Sequence, residues 1–239
     1  MLEQDPVGRR RFLQRFGLGA AGLAVAGCAP QAQRVATVAP RTPVRDPALA
    51  LQRLQEGNQR YVSEQPLRFR LDAARRLELT ESQTPLATVF ACVDSRVPVE
   101  RVFDQGHGEL LVVRTAAHVV DDAALGSIEF GVAQLATPLV VVLGHERCGA
   151  VAAAISFAAN GARAPGNIQT VVEGIVPAVE AARGQGGDHV ESTVRAHSRM
   201  IARRLGASPV ISPLQQEGRV RIVPAFYSMR TGMVEFLSV

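Results

Sequence analysis

Short apolar runs alternate with helix-length segments along most of the chain, and this alternation limits the folds that it can adopt. The runs Leu86–Ala91, Leu110–Val113 and Leu139–Leu143 are mostly apolar and rich in β-branched residues, which predicts strands buried on both faces. The run Val220–Val223 predicts a fourth strand. Strands separated by helix-length crossovers favour an α/β fold, with a central, mostly parallel β-sheet flanked by helices. In such sheets, ligands bind beyond the carboxyl ends of the strands.

Amphipathic patterns predict the helices that flank this sheet. In the segment 47–62, four apolar residues recur among polar ones, namely Leu49, Leu51, Leu54 and Val62. Further along, a stripe at steps of three and four residues predicts a second helix, formed by Leu125, Ile128, Val132 and Leu135. Later segments with helical patterns are 149–159, 168–183 and 191–205.

The first 28 residues have the pattern of an export signal. Three consecutive arginines at 9–11 precede an apolar stretch from Phe16 to Gly27, which is too short to span ~30 Å of hydrocarbon as a helix. The segment 9–14 resembles the twin-arginine signal, whose route carries folded proteins. We therefore expect an exported protein that resides in the periplasm or the cell envelope.

The end of this signal is open to two interpretations. Val25–Cys28 resembles a bacterial lipobox, in which Cys28 carries a lipid anchor, whereas Ala24–Ala26 also fits an ordinary cleavage site that leaves no anchor. Residues 29–46 are rich in Ala, Pro, Gln and Thr without a periodic pattern, which predicts a flexible tether. The remaining segment, 47–239, is then a single domain.

The charge distribution argues against a nucleic-acid-binding protein. The formal net charge is +4, and the first 27 residues contribute half of it, because four arginines there face two acidic residues. No run of five or more basic residues occurs in the chain. Because the chain has no Trp and only two Tyr, it is also poor in side chains suited to base stacking.

Three candidate metal ligands follow two of the predicted strands. Cys92 comes directly after the first strand, and His145 and Cys148 follow the third. If these strands are neighbours, the three side chains converge. Two thiolates and an imidazole suit zinc, and three protein ligands leave a coordination position open, as in catalytic zinc sites. The alternative interpretation is two buried cysteines and a core histidine that bind nothing.

Asp94 and Arg96 lie beside the first of these ligands. A guanidinium binds a carboxylate through two parallel hydrogen bonds, and such a pair on a surface contributes little to stability. Beside a metal, Arg96 would hold Asp94 ionised and away from the ion, able to accept a proton from metal-bound water. Zinc lowers the pKa of such water to about 7, so that hydroxide could attack a small electrophile. These residues alone do not specify that electrophile.

The two motifs together resemble those of the β-class carbonic anhydrases. Cys-x-Asp-x-Arg at 92–96 is followed by His-x-x-Cys at 145–148, and similarity in family order extends over 47–239, through 51–62, 108–114, 127–130 and 221–228. The resemblance implies reversible hydration of carbon dioxide to bicarbonate by zinc-bound hydroxide. It also implies Zn²⁺ on Cys92, His145 and Cys148, a catalytic dyad of Asp94 and Arg96, and a homodimer or higher homo-oligomer.

The resemblance also implies a set of substrate-pocket residues. Gln83 matches a glutamine that hydrogen-bonds substrate, often from the partner subunit, although a solvated loop amide is the alternative. Gly149 matches a residue whose backbone faces the metal pocket. Leu111 and Phe130 stand where plant-like members have Phe and Tyr. Phe130 lies about 200° around its helix from Ile128, so we expect it to face an active site only across an interface.

Several features of the pocket and of the reaction stay open at this stage. Thr115 and His118 replace both asparagines of a family loop segment, and we expect His118 to be an exposed loop histidine rather than a proton shuttle. In some members the aspartate closes the zinc site as a fourth ligand, and we expect low pH to favour that form for Asp94. Hydrolysis of carbonyl sulfide or carbon disulfide on the same zinc core, and a non-catalytic zinc protein, are the alternative functions.

Overall fold

A five-stranded sheet forms the centre of the computed structural model, which describes residues 37–38, 42–69 and 71–239. A separate parallel pair comprises β1 (Thr37–Val38) and β2 (Arg68–Phe69). The strands of the central sheet are β3 (Ala87–Cys92), β4 (Leu110–Thr115), β5 (Leu139–His145), β6 (Arg221–Tyr227) and β7 (Val234–Phe236). They lie in the order β4-β3-β5-β6-β7; all neighbours are parallel except β7, which is antiparallel to β6. The predicted α/β fold with a mostly parallel sheet is therefore confirmed.

Eight α-helices occur in the described residues, and several of them pack on the sheet. Four of them begin at an aspartate whose carboxylate accepts a hydrogen bond from a backbone N–H of the first turn, the standard N-cap arrangement; these residues are Asp46, Asp72, Asp121 and Asp188. The helices are α1 (Pro47–Val62), α2 (Ala73–Glu81), α3 (Val99–Val102), α4 (Asp122–Ala133), α5 (Gly149–Asn160), α6 (Ile168–Ala182), α7 (His189–Gly206) and α8 (Ile211–Gln216). None of these helices is both long enough and apolar enough to span a bilayer.

The strands differ in burial because of their positions in the sheet. Every residue of β3 and β5 is buried, as the continuous apolar runs predict. All six residues of β4 are only half-buried. The prediction that β4 is buried on both faces is wrong, because β4 is an edge strand whose outer side pairs with no other strand in the part of the chain that the structure describes.

Helix α1 packs on the sheet through a different stripe from the predicted one. Leu54 is fully buried, but Leu49 and Val62 are 42% and 40% exposed. The buried face includes Gly57 instead, whose missing side chain lets the helix approach the Phe103 carbonyl. Close backbone approach, which apolar periodicity cannot indicate, therefore sets the orientation of α1.

The structure differs from the sequence prediction at the end of the predicted tether and at the end of α4. Within the predicted tether, the side chain of Val44 is buried in the core cluster that also contains Leu54 and Phe103. Helix α4 ends at Ala133, so Leu135 lies beyond it rather than on its last turn. The predicted export signal and lipidation site, residues 1–28, lie outside the described residues.

Candidate metal centre

Two adjacent parallel strands bring the three predicted ligands together. Cys92 is the last residue of β3 and His145 the last residue of β5, and these strands pair directly. Cys148 stands at the N-cap of α5, three residues further on. The two sulfur atoms and a ring nitrogen of His145 all lie within 4.8 Å of one another, and all three residues are buried. This convergence is what a shared ion requires.

The ring of His145 is oriented for ligation through Nε2. Its Nδ1 lies 3.0 Å from the Glu146 carbonyl oxygen, which places the ring proton on Nδ1 and leaves a lone pair on Nε2. Nε2 is buried and has no hydrogen-bond partner among the described residues. A buried acceptor without a partner is costly, and a cation held with two thiolates would satisfy it. The residues present therefore fit a zinc ion.

The two cysteine side chains shift each other's pKa in opposite directions. The pKa of Cys92 is lowered from 9.0 to about 4, chiefly because the Cys148 thiol donates a hydrogen bond to its sulfur. The same hydrogen bond, assisted by burial, raises the pKa of Cys148. The N–H of Ala117 also points at the Cys92 sulfur, at 3.2 Å. The pair thus presents a thiolate and a proton that a metal ion would displace.

Asp94 and Arg96 form the predicted pair beside this cluster. Arg96 donates from its backbone N–H and its Nε to Asp94 Oδ1, both at 2.9 Å, and from Nη2 to Oδ2 at 2.6 Å. The Arg96 guanidinium thereby holds the pKa of the Asp94 carboxyl well below its ordinary value. Oδ2 lies 3.9 Å from Nε2 of His145. Arg96 therefore holds the carboxylate beside the cluster, and Asp94 is not one of its three members.

Arg114 is a site residue to which the sequence reasoning gave no role. Its Nε donates to the Cys92 carbonyl oxygen at 2.8 Å, and its Nη2 donates to the Asp94 carbonyl oxygen at 2.6 Å. One guanidinium thus fixes the backbone that carries both a ligand and the dyad. Arg114 of β4 lies opposite Ala91 of the neighbouring strand β3. The sequence signal that could have identified it is its position as a charged residue at the end of an apolar run.

A hydrogen bond and a buried histidine hold the turn that follows β4. Thr115 donates from Oγ1 to the Val119 carbonyl oxygen at 2.7 Å, which closes the turn. His118 is 1% exposed, and its Nε2 lies 3.3 Å from Ser198 Oγ while its ring packs against His197. The expectation of an exposed loop histidine is wrong, because this turn folds inward under α7. Burial, together with the neighbouring His197, lowers the pKa of His118 well below 6.5.

Comparisons with known proteins bear on the family of this chain. The family model described as carbonic anhydrase matches residues 87–234, a segment that contains the whole cluster. A carbonic anhydrase of Mycolicibacterium smegmatis is 41% identical over 197 residues, covering 82% of this chain and 96% of that protein. The chain belongs to the β-class carbonic anhydrase family. Carbonic anhydrase 2 of Mycobacterium tuberculosis is 40% identical over 191 residues, covering 80% of this chain and 92% of that protein.

Solved structures of β-carbonic anhydrases share the fold. A tetrameric enzyme from Sordaria macrospora matches with a TM-score of 0.64 at 21% identity, covering 80% of this chain and 95% of the other. The Coccomyxa enzyme in complex with acetazolamide matches with a TM-score of 0.61 at 23% identity, covering 78% and 86%. At these identities the match establishes the fold, which is the β-carbonic anhydrase fold.

Three of the predicted pocket residues do not reach the cluster of their own chain. Gln83 is exposed and precedes β3, whereas Cys92 ends it, so the six-residue strand separates them by about 20 Å. Leu111 packs towards Gly131 of α4, and Phe130 is 55% exposed on the same helix. Their pocket roles stay predictions.

Gly149 is the exception among the predicted pocket residues. It is the first residue of α5 and directly follows Cys148. A Cβ built on it would meet no atom within 4 Å. Its backbone is next to a ligand and open on the Cβ side, and its pocket role stays a prediction.

Proposed function

We propose that this protein catalyses the zinc-dependent, reversible hydration of carbon dioxide to bicarbonate and a proton. The observation that carries the proposal is the buried cluster of Cys92, His145 and Cys148 with the Asp94–Arg96 pair beside it. Relatives at 40–41% identity that span most of the chain are named carbonic anhydrases, which supports the same activity here.

Cys92 and Cys148 would hold the zinc ion through sulfur, and His145 through Nε2. When bound in such a site, zinc lowers the pKa of a coordinated water to about 7 and supplies a nucleophile near neutral pH. Arg96 donates to both oxygens of Asp94, so the described residues offer three ligands and leave a fourth coordination position open for an exogenous ligand. This arrangement favours catalysis over a purely structural zinc site, which uses four protein ligands.

Asp94 is suited to orient a reacting group rather than to store its proton. Each carboxylate oxygen has two acceptor positions, and Oδ2 uses one of them for Arg96 Nη2. The remaining position can accept a hydrogen bond from a molecule beside His145 Nε2. Because the pKa of Asp94 lies far below neutrality, the carboxylate stays ionised and passes any proton on to solvent.

The decisive experiment measures metal content and carbon dioxide hydration on the full chain. We expect about one zinc ion per chain, and stopped-flow activity that falls roughly 10²- to 10⁴-fold in Asp94→Asn while zinc content is retained. Zinc without hydration at any pH would refute the proposal. Assays of the same sample with carbonyl sulfide and carbon disulfide would then separate a related hydrolase from a non-catalytic zinc protein.

We also propose that the active protein is a homodimer or a higher homo-oligomer. The related Sordaria macrospora enzyme is described as tetrameric, and exposed Phe130 and Gln83 need a partner to contribute to any pocket. Light scattering of the purified protein should give a mass of two or more chains. Phe130→Ala should then reduce hydration, and a fully active monomer would contradict this assembly.

We further propose that the protein is exported through the twin-arginine route. The sequence supports this through the arginines at 9–11 and the apolar stretch before Cys28. Changing Arg9 and Arg10 to Lys should retain the protein in the cytoplasm, as fractionation would measure. Cys28→Ser should release an exported but soluble protein if Cys28 carries a lipid, and should change nothing if cleavage occurs after Ala26.

A further inference from the structure

The residue that follows the histidine ligand bonds to it through its backbone. The Glu146 carbonyl oxygen accepts the Nδ1–H of His145 at 3.0 Å, which fixes both the tautomer and the ring plane. The next residue, Arg147, adopts a positive φ of 54°, a conformation that non-glycine residues rarely take. This carbonyl therefore keeps its direction only if neighbouring contacts hold the turn.

The carboxylate of Glu146 supplies those contacts by fastening to the turn between β6 and β7. Its Oε2 accepts hydrogen bonds from Ser228 Oγ and from the Arg230 N–H, both at 3.0 Å. Its backbone N–H also donates to the Tyr227 carbonyl oxygen at 2.8 Å. Glu146 is thus held on both its main chain and its side chain by one segment, residues 227–230.

The remainder of the turn between β6 and β7 is anchored to the body of the domain. Asn58 of α1 is 6% exposed and donates from Nδ2 to the carbonyl oxygens of Gly232 and Val102, at 2.8 and 3.0 Å. Its Oδ1 accepts the Val234 N–H at 2.8 Å. Glu146 therefore bonds to a turn that α1 and the start of β7 fix in place.

We propose that Glu146 is a positioning residue for metal binding, since its carboxylate locks the peptide whose carbonyl aims His145 Nε2 at the ion. The inference rests on the proposed function, because it requires His145 to be a zinc ligand. The side chain acts on the metal only through the backbone and touches neither substrate nor zinc. Its loss should loosen the histidine while both thiolates remain.

The test compares Glu146→Ala and Glu146→Gln with Glu235→Ala in the full chain. Glu235 lies on β7 of the same hairpin and pairs with Arg195 Nη2 at 2.8 Å, so its variant removes a carboxylate without touching the ligand turn. Zinc affinity is measured by competition with a chromophoric chelator, and the cobalt-substituted absorption spectrum reports the ligand geometry. Urea unfolding in excess chelator gives the stability of each metal-free variant.

We expect Glu146→Ala to bind zinc about 10-fold more weakly and to shift the cobalt bands, whereas Glu235→Ala matches the wild type in both. Glu146→Gln should recover most of the affinity, since its amide oxygen can still accept from Ser228 and Arg230. Equal zinc affinities within twofold for all variants would overturn the inference, as would equal losses in Glu146→Ala and Glu235→Ala. If Glu146→Ala does not fold, Ser228→Ala, which removes one of the donors to the same carboxylate, should weaken zinc binding and shift the cobalt bands in the same direction, and an unchanged spectrum and affinity would overturn the inference. A wild type that binds no zinc refutes the proposed function instead.

Discussion

Replacing Gly57 with Ala should destabilise the protein, although helix propensity alone predicts the opposite. Gly57 lies inside α1, where alanine is normally about 1 kcal/mol more favourable. In the folded chain, however, a Cβ at this position would lie 1.8 Å from the carbonyl oxygen of Phe103 and 2.8 Å from its carbonyl carbon. A backbone oxygen cannot swing away as a side chain can, so α1 itself must move by about 1.2 Å to restore a 3.0 Å contact.

The magnitude follows from what that movement disturbs. Overpacking of this kind costs about 1–3 kcal/mol. The next residue, Asn58, makes the buried hydrogen bonds to Val102 and Gly232, and each bond that lengthens forfeits about 1 kcal/mol. Set against the propensity gain, these costs leave a net destabilisation of about 2 kcal/mol.

Urea unfolding of the full chain, in excess chelator so that bound metal adds no stability, measures this difference. Gln55→Ala is the matched control, because it introduces the same side chain on the exposed face of the same helix and should change the free energy of unfolding by less than about 0.5 kcal/mol. If Gly57→Ala unfolds at the same or a higher urea concentration than the wild type, the close approach of α1 to Phe103 is not a determinant of stability.

Three further predictions concern pH and the residues around the cluster. Burial lowers the pKa of His197 from 6.5 to about 4, so the unfolded chain binds more protons between these values and the free energy of unfolding should fall by about 3 kcal/mol as pH drops from 6.5 to 4. The lowered pKa of His118 should also reduce the free energy of unfolding at low pH. If urea unfolding of His197→Gln is as sensitive to acid as that of the wild type, His197 is not a cause of the acid sensitivity. Arg114→Lys should weaken zinc binding by roughly 3- to 10-fold, because a single ammonium group cannot donate to both the Cys92 and the Asp94 carbonyl oxygens in the way the guanidinium does. Chelator competition measures the affinity, and an unchanged value would contradict this role of Arg114. Carbon dioxide hydration should rise from acid to alkaline pH, since a water held by zinc has a pKa of about 7 and would become the nucleophile only after losing its proton, and a flat stopped-flow profile would contradict this.

Predictions from short-range patterns agree well with the structure. The apolar runs became β3, β5 and β6, and the ligands that follow two of those runs became neighbours, because parallel strands place their carboxyl ends at one edge. Asp94 and Arg96 are two residues apart, so their pairing is also a local property of the chain.

Properties that depend on residues far apart in the sequence could not be predicted from the sequence. His118 looked like a loop residue, but its burial depends on α7, which begins about seventy residues later. The role of Arg114 depends on β4 lying beside β3, and the exposure of Leu49 depends on Gly57 meeting Phe103. None of these contacts leaves a periodic signal in the amino-acid sequence.

The sequence by itself determined the ligand types, their positions after strands and the family to which they point. These features follow from local hydrophobic pattern and from the intrinsic chemistry of thiolate, imidazole and guanidinium groups. Only the tertiary structure decided that His145 directs Nε2 towards the two cysteines, that Arg114 hydrogen-bonds to the backbone of Cys92, and that Glu146 hydrogen-bonds to the turn between β6 and β7. Such outcomes depend on which backbone groups meet across the fold, and distances between remote segments exist only after the chain has packed.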